Sequence, residues 1–299
     1  MRVLVTGASG PVGTALLRSL RAAGAEVTRT SRRPAADSSG ESVIAWDPMQ
    51  PISPDAVNGM DVVIHLAGES IVGRWNAAQK KAIRESRVIG TTNLARALAQ
   101  AKPKPRVFIC ASAVGYYGNR GDEIMRETSS PGTGFLPEVC VEWEAATKPA
   151  ADAGIRTAMV RIGVVLSPRG GALGKMLLPF KLGLGGKLGS GEQWMSWIDV
   201  EDLVGAIHHV MATESLAGPV NAVSPNPVTN AEFTRTLAGV LHRPAFLAMP
   251  AFTARIVLGE MADELLLASQ RVVPDQLQAS GFSFRHPDLR GSLQRLLNP

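Results

Sequence analysis

The sequence predicts an α/β protein: a doubly wound parallel sheet with a smaller C-terminal α/β part. Three observations predict it. Through the first two thirds of the chain, short β-rich runs alternate with longer helical ones, the pattern of successive right-handed βαβ crossovers. Several β-rich runs, Val62-Val63-Ile64 among them, are apolar without alternation, as strands covered on both faces are. A glycine-rich turn, Thr6-Gly7-Ala8-Ser9-Gly10-Pro11-Val12-Gly13, follows the first of these runs and opens the first helix, the context of a nucleotide-binding crevice.

The strands expected are residues 3–6, 26–30, 43–45, 61–66, 107–111 and 157–162. The first helix carries Val12, Leu16, Leu17 and Leu20 at helical spacing. A second starts near Asn76, a residue type suited to the N-cap, and runs to about Gln100. A third covers about 136–152. Residues 163–196 then hold nine glycines and little periodicity, which predicts a long functional loop. Helices return at about 229–241 and 251–268, with no internal repeat and no low-complexity tail. The division expected is a nucleotide-binding part at 1–220 and a substrate-side part at 221–299.

A chain of 299 residues, 45% hydrophobic and 19% charged, can bury a sizeable core and is not a disordered chain. No run reaches the roughly 18 apolar residues of a membrane span. The amino end enters a strand without the marks of a signal peptide. Cys110 and Cys140 are the only cysteines, too few for a disulfide framework or a zinc site, so a cytoplasmic location is expected. The net charge of +5 is spread in short runs such as Arg32-Arg33 and Lys80-Lys81, and aromatics are 5%. That pattern argues against a nucleic-acid partner and suits a small anionic ligand. No membrane partner is expected either.

In the glycine turn, Gly7 and Gly10 are expected to allow positive φ and to leave no Cβ against a pyrophosphate. Gly13 lets the helix pack on the sheet, and the helix N-terminus attracts phosphates. A glycine-rich turn holding no ligand is the plain alternative. An NAD site ends its second strand with Asp or Glu for the ribose hydroxyl. Here the chain reads Thr28-Arg29-Thr30-Ser31-Arg32-Arg33. Ser31 and Arg32 suit a 2′-phosphate, so NADP(H) is expected over NAD(H), unless these arginines are only solvated loop charges.

The chain resembles an extended, atypical short-chain dehydrogenase/reductase. More closely, it is similar to the epimerase family group around family 39U member 1. The resemblance is carried by Leu66-Ala67-Gly68-Glu69, Arg74-Trp75-Asn76, Ser86-Arg87, Ser112-Ala113-Val114-Gly115-Tyr116-Tyr117-Gly118, Trp143-Glu144-Ala145-Ala146, Arg161-Ile162-Gly163-Val164, Gly189-Ser190-Gly191 and Asn230-Ala231-Glu232-Phe233. It implies a Rossmann-type fold with an appended domain of unknown function from about Phe246. It also implies that Gly7, Ser9, Gly10, Pro11 and Val12 hold the pyrophosphate, and that Ser31 and Arg32 meet the 2′-phosphate. Leu66, Ala67 and Gly68 would line the adenosine side, Arg87 would reach ribose or phosphates, and Ile162, Gly163 and Val164 would lie near the nicotinamide. The implied substrate is a small molecule, sugar- or nucleotide-like, and the resemblance allows a homodimer.

The chemistry departs from that pattern. Such enzymes pair Tyr with Lys at i, i+4 on one helix, the Lys lowering a Tyr pKa of about 10. Here Cys140 takes the Tyr place and Glu144 the Lys place, and a carboxylate makes a neighbouring thiolate less available. Cys140 is therefore a catalytic candidate with a buried small residue as its alternative, and Lys148 is expected to pair with Glu144. Ser112, Tyr117 and Glu69 are the other catalytic candidates. Tyr116 and Tyr117 on a strand-like segment would face opposite ways. Gln193 and Trp194, with the glycine-rich residues 183–191, are expected to shape the substrate pocket. Trp194 or Trp197 could stack on a sugar or a base, with core or domain-interface packing the alternative for Trp197. His65 reads as structural, and His208-His209 have no partner ligands, so no metal is expected. A catalytically weak NADP(H)-binding sensor remains the alternative to an oxidoreductase or epimerase-like enzyme.

Overall fold

The computed structural model describes residues 1–32 and 42–297. Strands β1 (Arg2–Thr6), β2 (Glu26–Ser31), β3 (Ser42–Ala45), β4 (Val62–His65), β5 (Val107–Ala113), β6 (Arg156–Ile162) and β7 (Gly218–Ala222) form a seven-stranded sheet. Their order is β7-β6-β5-β4-β1-β2-β3, and every neighbouring pair is parallel. The chain winds outward from β1 to β3, crosses back to β4, and winds the other way. That reversal opens a crevice at the carboxyl ends of β1 and β4. The expected strands all occur. β7 escapes prediction because Gly218-Pro219 and Asn221 weaken its β signal. It sits at an edge, paired only with β6, where Pro is tolerated.

Helix α1 (Pro11–Ala22) buries Leu16, Leu17 and Leu20 against one face of the sheet, with Leu203, Ile207 and Val210 of a later helix. Helix α2 (Ala77–Gln100) covers the other face with Leu94 and Leu98, beside Trp143. Asn76 caps α2, its side chain accepting from the Gln79 amide at 2.8 Å, so the predicted start holds.

The third helix does not run to 152. α3 (Phe135–Ala145) ends, and a separate turn spans Lys148–Asp152. Pro149 has no amide to continue the ladder, and the Thr147 hydroxyl takes the Glu144 carbonyl at 2.7 Å. Residues 163–196 are also not one loop. They hold a strand at Val164–Leu166, helix α4 (Gly171–Lys181) and a strand at Trp194–Met195. Gly174 and Pro179 mask the periodicity of α4, which still buries Leu173 and Phe180. The longer helices that follow are α5 (Val200–Ala212), α6 (Asn230–Leu241), α7 (Ala251–Leu258) and α8 (Leu289–Leu297), with a single turn of helix at Asp275–Ala279 before α8. The expected helix at 251–268 breaks at Gly259, which adopts φ +63, and resumes as a π-turn at Ala262–Leu266.

The C-terminal part is docked by buried charge. Asp199 is fully buried, caps α5 through the Glu201 amide at 2.8 Å, and accepts from Arg295 at 2.7 and 2.8 Å. Asp202 accepts the amides of Arg285 and His286 at 2.8 and 2.9 Å. Together they fasten the segment entering α8 and α8 itself onto α5. Among the described residues no helix is long and apolar enough to cross a membrane.

Candidate functional site

The glycine turn is built by backbone fit. Gly7 has φ +69, and a Cβ there would lie 2.5 Å from the Leu66 carbonyl carbon and 2.6 Å from the Ala67 amide nitrogen. The loops after β1 and β4 therefore touch backbone to backbone. A Cβ on Gly13 would meet the Gly7 carbonyl oxygen at 2.5 Å, which fixes the close seat of α1. Gly10 differs from the expectation. Its φ is −73°, open to any residue, and nothing lies nearer its Cβ position than the Gly7 oxygen at 3.6 Å. The protein's own atoms do not require a glycine at Gly10. No side chain caps α1, and Pro11 sits in its first turn, so the helix dipole and first amides face the crevice. Ser9 is exposed and Val12 half-buried there. Gly170, the residue before α4, would place a Cβ 3.1 Å from the Pro11 ring, so the start of α4 comes down beside the same turn.

At the end of β2, Ser31 is half-buried and Arg32 exposed, with no carboxylate along 28–32. Arg33 lies outside the described residues. After β4, Leu66 and Ala67 are half-buried and Gly68 exposed. Arg87 of α2 donates to the carbonyls of Glu69 and Ile83 at 3.0 and 3.1 Å and stacks on Trp143 at 5.0 Å. Its guanidinium would lie 3.2 Å from a Cβ on Gly68. Burial lowers its pKa, while the charge of Glu69 works the other way. The Glu69 side chain is exposed, and its amide donates to Ser86 at 3.0 Å. At the end of β6, Ile162 and Val164 are half-buried. Gly163 lies where a Cβ would meet the Ser196 oxygen at 2.6 Å. The chain crosses there from the main sheet to pair Val164–Leu166 with Trp197–Asp199.

Beside this crevice lies a polar centre that the sequence reading did not foresee. Ser112, buried at the end of β5, donates to Glu144 Oε1 at 2.7 Å. Arg161 of β6, in register with Ser112, grips both Glu144 oxygens at 2.8 Å. The same guanidinium donates to the Tyr117 hydroxyl at 3.0 Å and the Glu127 carbonyl at 3.2 Å, and lies 3.5 Å over the Tyr116 ring. Burial works against its charge, and the hydrogen bonds and charge of Glu144 more than offset that, so its pKa stands above the ordinary arginine value. The signal was present: Arg161 interrupts the apolar run Ala158-Met159-Val160-Arg161-Ile162 at the end of β6. Glu144 needed a partner, and Lys148 is not it. Lys148 instead pairs with Asp152 at 2.6 Å on the surface.

Two catalytic candidates change standing. Tyr116 and Tyr117 lie on a 3₁₀ turn, Val114–Tyr117, so strand alternation does not apply. Tyr117 is fully buried, donates to Asn221 at 2.7 Å, and its hydroxyl pKa is pushed up to about 12 by burial. Tyr116 is the half-exposed one. Cys140 is buried, and burial, then Glu144, pushes its thiol up to about 12, so its neutral form prevails. His65 is buried with Nδ1 2.6 Å from the Thr6 hydroxyl, and burial lowers its pKa to about 4.

The pocket-loop residues are tied to the C-terminal part. Gln193 is buried and donates to the carbonyls of Leu188 and Leu266, both at 3.1 Å. Trp194 donates to Asp122 at 2.8 Å, with Arg271 4.3 Å over its ring. Trp197 is fully buried. Sequence reading also missed Glu264, which accepts the Phe135 and Leu136 amides at 3.1 and 3.0 Å. The C-terminal part thereby caps α3, the helix carrying Cys140 and Glu144. Among the described residues no cluster of three His, Cys, Asp or Glu could hold a metal.

Residues 3–222 match the model of the NAD dependent epimerase/dehydratase family, and residues 249–296 match a domain of unknown function. An epimerase family protein of Mycobacterium bovis is 45% identical over 286 residues, covering 95% of this chain and 93% of that protein. The human epimerase family protein SDR39U1 is 38% identical over 301 residues, 99% of this chain and 100% of that one. A crystal structure of the human protein with NADPH superposes with a TM-score of 0.91 at 36% identity, covering 100% and 99% of the two chains. A nucleoside-diphosphate sugar epimerase from Corynebacterium glutamicum gives 0.82 at 40% identity, over 99% of this chain and 58% of that one. Sheet order, glycine turn and full-length similarity agree: the chain belongs to the NAD dependent epimerase/dehydratase family, in the group that carries this appended C-terminal domain.

Proposed function

We propose that the chain binds NADP(H) in the crevice between β1 and β4 and acts as an oxidoreductase or epimerase-like enzyme on a small sugar- or nucleotide-like molecule. One observation carries the cofactor reading: Gly10 is a glycine the fold does not need, beside an uncapped helix start. A Cβ there would fill the approach of a pyrophosphate. The exposed Arg32 and the lack of a carboxylate at the end of β2 favour the 2′-phosphorylated form. The crystal structure of the human relative contains NADPH, which supports the same choice. In this reading Gly7, Ser9, Gly10, Pro11 and Val12 hold the pyrophosphate, and Ser31 and Arg32 the 2′-phosphate. Leu66, Ala67, Gly68 and Arg87 lie on the adenosine side, and Ile162, Gly163 and Val164 near the nicotinamide.

When bound, the cofactor supplies or accepts a hydride. Ser112 holds a substrate oxygen by its hydroxyl, with Glu144 as the alternative acceptor of the same proton. Arg161 fixes Glu144, so an ion pair between helix and strand replaces a Tyr-Lys pair on one helix. Glu69, exposed at the mouth, suits a ribose hydroxyl better than a buried proton transfer. Residues 221–299, including the appended part from about 246, form the substrate side. The two buried free cysteines agree with a reducing, cytoplasmic setting.

Fluorescence titration with NADPH and NADH tests the cofactor. NADPH is expected to bind at least about tenfold more tightly, and Arg32→Glu to erase that margin, since a charge-assisted bond to phosphate is worth about 1.5–3 kcal/mol. Turnover on a panel of nucleotide sugars and carbonyl compounds, lost in Ser112→Ala, tests the chemistry. The buried state of Tyr117 and Cys140, both pushed up to about 12, favours a second reading, a cofactor-binding sensor. Tight NADPH binding with no oxidation or isomerisation across the panel would establish it.

A further inference from the structure

Among the described residues, large exposed apolar side chains concentrate in two segments. The first is the end of α4 and the turn after it, with Leu178 67%, Leu182 63% and Leu184 56% exposed. The second leads into and through α7, with Phe246 75%, Phe252 64% and Ile256 68% exposed. The segments run side by side. The Leu247 amide donates to the Gly185 carbonyl at 3.3 Å, Met249 to Lys187 at 2.9 Å, and Gly189 to Met249 at 2.9 Å. Gly186 lies so close that a Cβ would meet the Leu247 oxygen at 2.0 Å. The exposed side chains flanking this seam therefore belong to one region of the surface, far more concentrated than scattered apolar residues.

Within the two segments the charge has one sign. Residues 153–191 and 233–259 contain no Asp or Glu. Lys175, Lys181, Lys187 and Arg243 are exposed within them. The carboxylates nearest the second segment are engaged, Asp263 with Arg255 at 2.9 Å and Glu260 with Lys80 at 2.8 Å. Glu192, at the end of the first segment, is exposed. Protruding Leu, Phe and Ile amid lysines, with acids only at the margins, is the pattern of a surface that enters an anionic lipid interface. A second copy of the chain fits poorly, because a two-fold contact would bring the same cations face to face.

We propose that this face seats the protein on an anionic membrane surface. Leu178, Leu182, Phe246, Phe252 and Ile256 enter the boundary between headgroups and acyl chains. Lys175, Lys181, Lys187 and Arg243 meet the lipid phosphates. This departs from the sequence expectation of no membrane partner, and it needs no spanning helix.

Vesicle flotation with the full chain tests it, using phosphatidylcholine alone or with about one-third phosphatidylglycerol. Retention at least about tenfold stronger on the anionic vesicles, released by high salt, is expected. Lys181→Glu and Lys187→Glu should each weaken it about fivefold or more. Phe252→Asp, at an exposed position, should weaken it about tenfold with an unchanged melting curve. Arg96→Glu, exposed on α2, should leave retention as it was. The proposal is overturned if the folded chain, checked by its melt, ignores anionic vesicles, or if Phe252→Asp floats as the parent does. It is equally overturned if light scattering shows a dimer that Phe252→Asp dissolves, which would assign the face to a second copy.

Discussion

The glycine turn after β1 and the polar centre around Ser112 stand side by side at the carboxyl edge of one sheet, and they are made of different material. The turn is backbone: Gly7 and Gly13 are fixed by main-chain atoms within 2.8 Å of where a Cβ would be. The centre is side chain: Ser112, Glu144, Arg161 and Tyr117 arrive from β5, α3, β6 and a 3₁₀ turn, joined by bonds of 2.7–3.0 Å. A backbone site constrains residue type at each position by steric exclusion. A side-chain site constrains only the set of partners that meet, so a carboxylate can stand on the helix where its cation, Arg161, comes from a strand. This explains how the chain keeps the nucleotide turn of its family while its centre lacks Tyr and Lys at the usual spacing.

The sharpest way to break that comparison is to remove one partner of the ion pair. Arg161 and Glu144 have side chains only 3% and 11% exposed, so Arg161→Met leaves a buried carboxylate unpaired. A loss of about 3–5 kcal/mol is expected, read from the urea midpoint. The double variant Arg161→Met with Glu144→Gln should recover part of it, because the stranded charge is gone. NADPH affinity of the folded fraction should barely change. A single variant as stable as the parent would show that the four residues are not a unit.

Next comes a pH effect in the backbone-built region. His65 ends β4 beneath the turn, bonded to Thr6 of β1. Burial lowers its pKa from 6.5 to about 4. The unfolded chain therefore takes up a proton near pH 6.5 that the folded chain refuses until about pH 4. The stability present above pH 6.5 is lost as pH falls through that window, up to about 3 kcal/mol. Unfolding midpoints of the parent and of His65→Asn, followed from pH 7.5 to 4, should converge as pH drops. Parallel curves would mean that folded His65 takes up its proton over the same pH range as the unfolded chain.

The two regions also differ in how far the sequence revealed them. The turn and its strand-to-helix context were legible because each glycine reports a local steric demand, and β1, β4 and β5 because continuous apolar runs report two covered faces. Gly10 was misread in detail, since a motif does not say which glycine serves the fold and which serves a ligand. Arg161 was visible as a cation interrupting the apolar end of β6, yet its partner stands 17 residues away on α3, and only tertiary packing makes the pair. Tyr117 was misplaced for the same reason: Val114–Tyr117 turns as 3₁₀, which two adjacent tyrosines do not announce. The capping of α3 by Glu264 joins residues 128 and 129 positions apart, beyond any local pattern.

The smallest expected effect separates the glycines from one another. Gly7→Ala forces a Cβ into Leu66 and Ala67 at φ +69, so it should cost about 1–3 kcal/mol of stability along with binding. Gly10→Ala meets no atom within 3.4 Å and keeps an ordinary φ of −73°. Its stability should stay within about 0.5 kcal/mol of the parent, or rise slightly as the unfolded chain loses freedom. Its NADPH affinity should nevertheless fall about tenfold or more, because the added methyl group stands where the pyrophosphate approaches the helix start. Unfolding and fluorescence titration on the same sample read both. If Gly10→Ala binds NADPH as the parent does, the open space beside Gly10 is not the phosphate seat, and the backbone half of the comparison loses its ligand while keeping its fold.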